Sequence, residues 1–316
     1  MPRRRFSIGS GLLGLILSVP SPALGAGWEL LPPAPTARTE VAVAALEGKI
    51  YLMGGFGEEG ISSRVDVYDT ATGRWSEAAP LPDTLHHAAA AALDGFLYVV
   101  GGFNNALWSP VNTLYRYDPR TDTWTARAPM PTERGALAAA VVDGKLYAMG
   151  GAARKMFRLK NVAANEVYDP VTNRWSSRAP LPTPRDHFTL SAVGGKLYAI
   201  GGRIDVDYNR NLNVNERYDP ETDRWQVRAP LPTPRSGITS QVLNGKIHVF
   251  GGESGQGTFA QNEAYDPLTN RWTTHPPMPH PCHGLGSAVV DGRIHLLTGG
   301  PRPGGGGSRL HQVYSE

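Results

Sequence analysis

The sequence has little cysteine, little excess charge and no helical periodicity, and each shortage excludes a class of protein. A single cysteine, Cys282, cannot form an internal disulfide framework. The chain has 31 Lys and Arg against 28 Asp and Glu, and the three arginines of residues 1–25 account for the whole excess. Residues 26–316 therefore lack the basic surface that nucleic-acid binding requires. No apolar pattern persists at helical period for three turns, which predicts an all-β protein.

Residues 1–25 differ from the rest of the chain and are typical of an export signal. They contain Arg3, Arg4 and Arg5, an apolar stretch of about ten residues and a small-residue end at Ala23–Gly25. The stretch is too short for a typical spanning helix, and no later segment is long enough to be one. The run from Arg3 to Phe6 is similar to a bacterial twin-arginine signal, with an ordinary secretory signal as the alternative. We expect a periplasmic or secreted protein whose residues 26–316 form one domain.

A seven-residue phrase recurs six times in this domain. It reads KLYAMGG at 145–151 and KLYAIGG at 196–202, and its other copies end in the same glycine pair. Each of the first five copies is followed by a Tyr and, seven residues later, a Trp. A period of 47 to 51 residues indicates a repeat architecture with loops of variable length. The final glycines of the six copies are Gly55, Gly102, Gly151, Gly202, Gly252 and Gly300.

Each repeat is predicted to form four strands. A short apolar run is followed by a two-residue turn such as Asp143-Gly144, which is a strong hairpin signal. The phrase itself forms the second strand, and the Tyr and Trp segments form the third and fourth. Four strands per repeat of this length favour a propeller blade.

Gly-Gly, Tyr-Asp and Trp at these distances resemble the Kelch repeat, and the resemblance covers residues 28–316. It implies a six-bladed Kelch β-propeller. The sixth repeat ends at HQVYSE without its own Trp, whereas GWELLPPAPTAR carries Trp28 near the beginning. We therefore predict that the N-terminal strand completes the last blade, because an open ring would expose two strand edges.

In Kelch proteins the usual binding surface is the face formed by two sets of loops, those before the first strands and those after Gly-Gly. We call this face the mouth. Its variable positions hold eight candidate ligand-binding residues: Glu40, His86, His87, Asp186, His187, Arg203, Glu253 and His283. Phe56 and Phe103 add aromatic side chains. Such a mixture suits a sugar or a peptide end, although a solvated polar rim is also compatible with it. The histidines come from three different repeats and lack local metal-ligand spacing, so we predict no metal or other cofactor.

An arginine recurs before the first strands, as Arg38, Arg134, Arg185 and Arg235. We expect it to tie loops together through backbone carbonyls, with binding of an anionic ligand as the alternative. Two long loops, residues 151–165 and 202–215, form a second candidate surface for recognition.

Three functions remain open, and we favour the first, in which the chain binds a ligand without being an enzyme. The first is an exported, monomeric binding module for a carbohydrate, protein or peptide. The second is a cofactor-free sugar enzyme such as a mutarotase or epimerase, because exported bacterial Kelch proteins include a sialic-acid mutarotase; the acidic residues and histidines could supply its acid and base. The third is a copper-radical oxidase, whose crosslinked cysteine resembles Cys282 in position. The place of its tyrosine partner holds Arg38, Thr39 and Glu40, which disfavours the oxidase.

Overall fold

The computed structural model describes residues 27–316. The predicted export signal at residues 1–25 lies outside the described residues. Within residues 27–316 the secondary structure consists of strands, and no helix has the length and hydropathy needed to cross a membrane.

Residues 27–316 form six four-stranded antiparallel sheets, one for each repeat. The strands of blades one to three, in order within each sheet, are Ala42–Leu46, Lys49–Met53, Val65–Asp69 and Arg74–Ala78; Ala89–Leu93, Phe96–Val100, Leu114–Asp118 and Thr123–Ala126; and Ala138–Val142, Lys145–Met149, Asn165–Asp169 and Arg174–Ser177. Those of blades four to six are Thr189–Val193, Lys196–Ile200, Asn215–Asp219 and Arg224–Val227; Thr239–Leu243, Lys246–Phe250, Asn262–Asp266 and Arg271–His275; and Gly286–Val290, Arg293–Leu297, His311–Ser315 and Gly27–Leu30.

Shorter strands lie at the mouth. They form a three-stranded sheet and two hairpins: Arg38–Thr39 with Phe56–Gly57 and Gly60–Ile61, Ala152–Lys155 with Arg158–Asn161, and Glu253–Ser254 with Gly257–Thr258.

The first strands of the six sheets contact one another in a closed cycle, so the sheets form a propeller around a common axis. The apolar core lies between neighbouring sheets, where the Tyr of a second strand meets the Tyr of the next blade's third strand. Tyr51 and Tyr117, for example, have ring centroids 5.7 Å apart. The repeated tyrosines therefore fill the widening space between blades, as their phase in the sequence predicts.

The two-residue hairpin turns adopt the conformation that the sequence predicts. In blade three, Asp143 and Gly144 have φ values of 50° and 68°. Positive φ at both central residues is the type I′ geometry that matches the twist of antiparallel strands. The glycine pairs that follow belong to the framework, because a Cβ on Gly54 would lie 2.4 Å from the Leu85 carbonyl oxygen of the next blade.

The N-terminal strand completes blade six, as predicted. Gly27–Leu30 pairs antiparallel with His311–Ser315, and Trp28 lies opposite Tyr314. The indole Nε1 of Trp28 donates to the Pro276 carbonyl of blade five, 2.9 Å away. Every repeat tryptophan makes the same bond to the preceding blade: Trp75 to Pro32, Trp124 to Ala79, Trp175 to Ala128, Trp225 to Ala179 and Trp272 to Ala229. These six bonds link all the blades in a circle.

Trp28→Ala should lower the free energy of unfolding by about 3 kcal/mol, the low end for a buried aromatic, because the side chain is only half-buried. It would lose the Pro276 bond and the packing against Tyr314 and Phe250. Urea unfolding followed by circular dichroism measures the effect. A loss below about 1 kcal/mol would contradict a closing role for the N-terminal strand.

Candidate functional site

Six residues, one from each blade, form a closed ring of backbone hydrogen bonds where the mouth meets the central channel. The N–H of each donates to the carbonyl of its equivalent in the preceding blade, over 2.7 to 3.1 Å. All six lie in the left-handed region, with φ between 52° and 66°. We call this set the neck ring; it consists of Glu40, His87, Ala136, His187, Gly237 and Gly284.

The neck ring contains an energetic conflict that points to function. Left-handed backbone is strained for residues with a Cβ, by about 1–3 kcal/mol each, whereas glycine adopts it readily. Blades five and six have Gly237 and Gly284 at this place, so the ring can be built from glycine. Ala136 of blade three carries the same strain without a polar side chain, whereas Glu40, His87 and His187 hold polar side chains there. Strained residues of this kind cluster at binding and catalytic sites.

A cavity of about 740 Å³ opens above the neck ring. Its base includes Glu40, His87 and His187, and these three also line a smaller cavity of about 100 Å³ on the channel side. The three side chains therefore separate the mouth from the central channel. Aromatic side chains line the upper part of the larger cavity: Phe56, Trp108 and Tyr208.

Arg203 is the centre of a buried polar network at the base of this cavity. Its guanidinium donates to Asp186 Oδ1 at 2.9 Å, to Glu253 Oε1 at 2.9 Å and to His187 Nε2 at 3.0 Å. Because arginine can only donate, His187 Nε2 accepts, and the proton on His187 Nδ1 is directed to Asp186 Oδ1. Asn161 donates to the second oxygen of Asp186. The network fixes both the orientation and the tautomer of His187.

His283 lies between two carboxylates, with its Nδ1 3.3 Å from Glu40 Oε1 and 3.5 Å from Glu253 Oε2. Burial acts to lower the pKa of His283, but the hydrogen bond and charge of Glu40 and the charge of Glu253 outweigh it and raise the pKa. Burial acts to raise the pKa of Glu40, yet the neighbouring histidines hold it well below its usual range. The site thus favours the protonated form of His283 beside the ionised form of Glu40.

The two histidines of blade two are neutral in character. His86 Nδ1 and His87 Nδ1 are 2.6 Å apart, and His87 Nε2 lies 3.2 Å from Glu40 Oε2. Burial lowers the pKa of His86 to about 4 and the pKa of His87 well below its ordinary value. They therefore act as fixed hydrogen-bonding groups near neutral pH.

The structure brings the eight predicted residues into one contiguous group. Six of them line the large cavity: Glu40, His87, His187, Arg203, Glu253 and His283. His86 and Asp186 lie behind them, fully buried, and contact His87 and Arg203. The group is not a solvated rim, because apart from Glu40 all its members are at most 7% exposed.

Sequence analysis missed several residues of the cavity. Trp108 comes from the loop after the glycine pair of blade two, and Arg302 and Gly304–Gly307 come from blade six. Tyr208 also lines the cavity; it belongs to the 202–215 loop, which was predicted to serve recognition, but it was not singled out. The signal that could have found such a residue is an aromatic side chain in a loop that varies between repeats. The 151–165 loop instead forms the hairpin Ala152–Lys155 and Arg158–Asn161, whose tip residue Phe157 is 94% exposed.

The recurrent arginines are structural. Arg38, Arg134, Arg185 and Arg235 are at most 1% exposed, so they do not offer charge to a ligand at the mouth. Each guanidinium donates to backbone carbonyls, as predicted, and also pairs with a buried carboxylate on the third strand of its blade. The carboxylates are Asp66, Glu166, Glu216 and Glu263.

Glu40, His87 and His187 have ligand atoms within 4.8 Å of one another and could in principle hold a metal ion. However, the Arg203 guanidinium takes the lone pair of His187 Nε2 and places a positive charge 3.0 Å from it. The arrangement favours hydrogen bonding to a ligand over binding of a cation.

Cys282 is fully buried in an apolar cluster with Phe250, Met278 and Leu285. Burial raises the pKa of its thiol to about 12. This residue therefore packs as a small hydrophobic side chain.

Comparisons with known proteins support the repeat assignment. The family model described as the KLHDC2/KLHL20/DRC7 Kelch-repeats domain matches residues 27–151 and 136–315. Kelch-like ECH-associated protein 1A of Danio rerio is 46% identical over 35 residues, and the influenza virus NS1A-binding protein homolog of Mus musculus is 49% identical over 37 residues. These matches span 11% and 12% of this chain and only 6% of each relative. The solved structure of YjhT aligns with a TM-score of 0.80 at 17% identity, covering 91% of this chain and 97% of that one.

Proposed function

The chain belongs to the Kelch-repeat family of β-propeller binding modules, and we propose that it is exported and binds a carbohydrate in the mouth cavity. The observation that carries the proposal is the neck ring, where Glu40, His87 and His187 occupy strained positions that glycine fills in two other blades. Polar side chains at these positions cost stability, and ligand binding is a reason to retain them.

The cavity has the dimensions and chemistry of a sugar site. Its volume of about 740 Å³ is within the range of small-molecule pockets. Carboxylates, imidazoles and a guanidinium at the base can donate to and accept from several hydroxyl groups at once. Phe56, Trp108 and Tyr208 offer apolar ring faces above them. Burial of the base groups favours ligands that satisfy those hydrogen bonds over analogues lacking a hydroxyl.

The proposal is tested by screening sugar and peptide libraries against the protein by thermal shift, because a ligand of the native state raises the melting temperature. Titration of a hit should also change the fluorescence of Trp108, and Trp108→Phe removes that response. A hit from the peptide library alone would replace the carbohydrate with a peptide ligand.

His187→Gly is the sharpest variant for this proposal. It installs at blade four the residue that blades five and six carry, and we expect it to weaken sugar binding at least ~10-fold, or about 1.4 kcal/mol. Relief of backbone strain should keep the melting temperature close to that of the parent. Gly237, already glycine, shows that the backbone accepts the change. Undiminished binding by this variant would place the site elsewhere.

A sugar mutarotase is the second candidate, and the pairing of His283 with Glu40 and Glu253 favours it. The imidazole of His283 between two carboxylates places groups that can donate and accept protons within one cavity. Once a sugar hit is known, the exchange of its anomers can be followed by nuclear magnetic resonance with and without the protein. Binding without accelerated exchange would support the binding module and contradict the mutarotase.

A further inference from the structure

Three departures from the repeat pattern meet at one place between blades five and six. His248 stands on a second strand where the first four blades have Tyr51, Tyr98, Tyr147 and Tyr198. His275 stands after a fourth-strand Trp where blades two to four have Arg127, Arg178 and Arg228. Glu316 follows Tyr314 by two residues, where the other blades have Thr70, Pro119, Pro170, Pro220 and Pro267.

Each of the three side chains has one possible metal-ligand atom, and these three atoms lie within 4.8 Å of one another. His248 Nε2 is 3.2 Å from Glu316 Oε1, and His275 Nδ1 is 3.9 Å from the same oxygen. Ligands about 2.0–2.1 Å from a tetrahedral zinc ion lie roughly 3.3–3.4 Å apart. The observed spacings lie on either side of that value, so only small adjustments are needed to bind an ion.

His248 is oriented as a metal ligand by the residues behind it. Asn262 directs its amide nitrogen to the Pro276 carbonyl at 3.5 Å, which leaves its Oδ1 facing His248 Nδ1 at 3.2 Å. His248 Nδ1 therefore carries the proton, and the lone pair of Nε2 faces the Glu316 carboxylate. Nε2 is buried and has no hydrogen-bond donor among the described residues. A cation between the two groups resolves the clash of lone pairs.

Supporting contacts also hold the other two ligands. Asn244 Nδ2 donates to Glu316 Oε2 at 2.8 Å, which leaves Oε1 available. His275 Nε2 contacts the Thr273 hydroxyl at 3.1 Å, and its Nδ1 faces the Tyr314 hydroxyl at 3.0 Å. An ion would take the place of the Tyr314 contact, while the bond to Thr273 would keep the ring in place. Such second contacts strengthen metal binding.

We infer that His248, His275 and Glu316 form a binding site for a divalent transition-metal ion such as Zn²⁺. Two imidazoles and one carboxylate are a ligand set that suits zinc, with a water in the fourth position. The ion would tie the final strand of blade six to blade five, on the sheet that the N-terminal strand completes. Its effect would be to stabilise the closed ring.

Two other histidine groups make the assignment selective. At the neck ring, the Arg203 guanidinium opposes a cation. At the boundary of blades six and one, His295 Nδ1 and His311 Nε2 are 2.9 Å apart and bond to each other. Within residues 27–316, no carboxylate lies close enough to this pair to complete a group of three possible metal ligands.

Zinc binding is measured on the full chain without a polyhistidine tag, after chelator treatment, by titration calorimetry and competition with a chromophoric chelator. We expect one saturable site per chain at micromolar zinc and a rise in melting temperature. Cobalt should give the intense visible absorption of a tetrahedral site. Absence of saturable zinc binding would overturn the inference.

His275→Arg and Glu316→Gln should each weaken zinc binding at least ~10-fold and abolish the cobalt spectrum. His275→Arg is expected to fold, because Arg127 and Arg228 at the equivalent places donate to the tyrosine hydroxyl of the next blade. His295→Tyr and His187→Gln are the matched controls and should bind zinc as the parent does. Loss of binding in a control, with retention in His275→Arg and Glu316→Gln, would place the ion at another histidine group.

Discussion

Glu216→Ala is expected to lower the free energy of unfolding by about 3–5 kcal/mol, because it leaves the Arg185 guanidinium buried without its carboxylate. Arg185 Nη1 lies 2.6 Å from Glu216 Oε2, and their side chains are 0% and 3% exposed. Burial lowers the pKa of Arg185, and the charge of Glu216 acts against that shift. Urea unfolding followed by tryptophan fluorescence measures the loss.

The chain itself provides a matched control, because blade two solves the same packing problem without a buried ion pair. Where blade four has Thr183, Arg185 and Glu216, blade two has Asp83, Leu85 and Tyr115. The Tyr115 hydroxyl donates to Asp83 at 2.7 Å, whereas the Thr183 hydroxyl donates to Glu216 at 2.8 Å. Blade two therefore lacks both the arginine and its carboxylate partner.

The triple variant Thr183→Asp, Arg185→Leu, Glu216→Tyr transfers the blade-two arrangement to blade four. It should recover most of the stability lost in Glu216→Ala, since well-packed replacements of a buried ion pair are often neutral. If Glu216→Ala costs under about 1 kcal/mol, the pair is not essential to the blade. If the triple variant is as unstable as Glu216→Ala, the shape of the pair, and not its charge balance, determines the cost.

The framework could be predicted from the sequence because each of its parts depends on local chemistry. Asp143-Gly144 forms a type I′ turn wherever it occurs between apolar strands, and Gly54 is required by a carbonyl only 2.4 Å from its would-be Cβ. The closing role of Trp28 followed from the count of tryptophans. Its bond to Pro276 repeats a contact made in every blade.

The functional site could be predicted only as a set of residues, because its geometry depends on six separate segments meeting at the axis. Alignment of the repeats brought Glu40, His87 and His187 to equivalent positions. It could not reveal that their backbone is left-handed or that they bond in a ring, since nothing in a single segment encodes that ring. The burial of Arg203 also depends on its neighbours, because Asp186 and Glu253 come from different blades.

The protonation of the histidines is likewise a property of the folded ring. Four similar side chains at the mouth suggest one common titration near neutral pH. In the structure, burial lowers the pKa of His86 to about 4, whereas Glu40 and Glu253 raise the pKa of His283. Of these two histidines, only His283 should therefore contribute to a pH dependence of ligand binding near neutrality.

The protein should lose stability steeply as the pH falls from about 6.5 to about 4, the interval between the unfolded and folded pKa values of its buried histidines. His295 and His311 are 3% and 1% exposed. Burial, together with the charge of His311, lowers the pKa of His295 to about 3, and burial lowers the pKa of His311 to about 4. Within this interval the unfolded chain binds protons that the folded chain does not, so stability is full above pH 6.5.

His295→Tyr with His311→Asn tests this origin of the acid transition. The two changes give blade six the residues of blade four, in which Tyr198 and Asn215 stand at the places of His295 and His311. Asn215 Nδ2 donates to the Ala229 carbonyl at 3.0 Å. Removing two buried bases should move the midpoint of acid unfolding to lower pH, as measured by circular dichroism across a pH series.

His283 does not obscure the result: its raised folded pKa makes a contribution that is complete below pH 6.5 and lost only as the pH rises. The lowered pKa values of Glu40 and Asp186 act below about pH 4, so between pH 4 and 6.5 the histidines dominate. An unchanged midpoint in a well-folded double variant would show that His295 and His311 do not drive the transition.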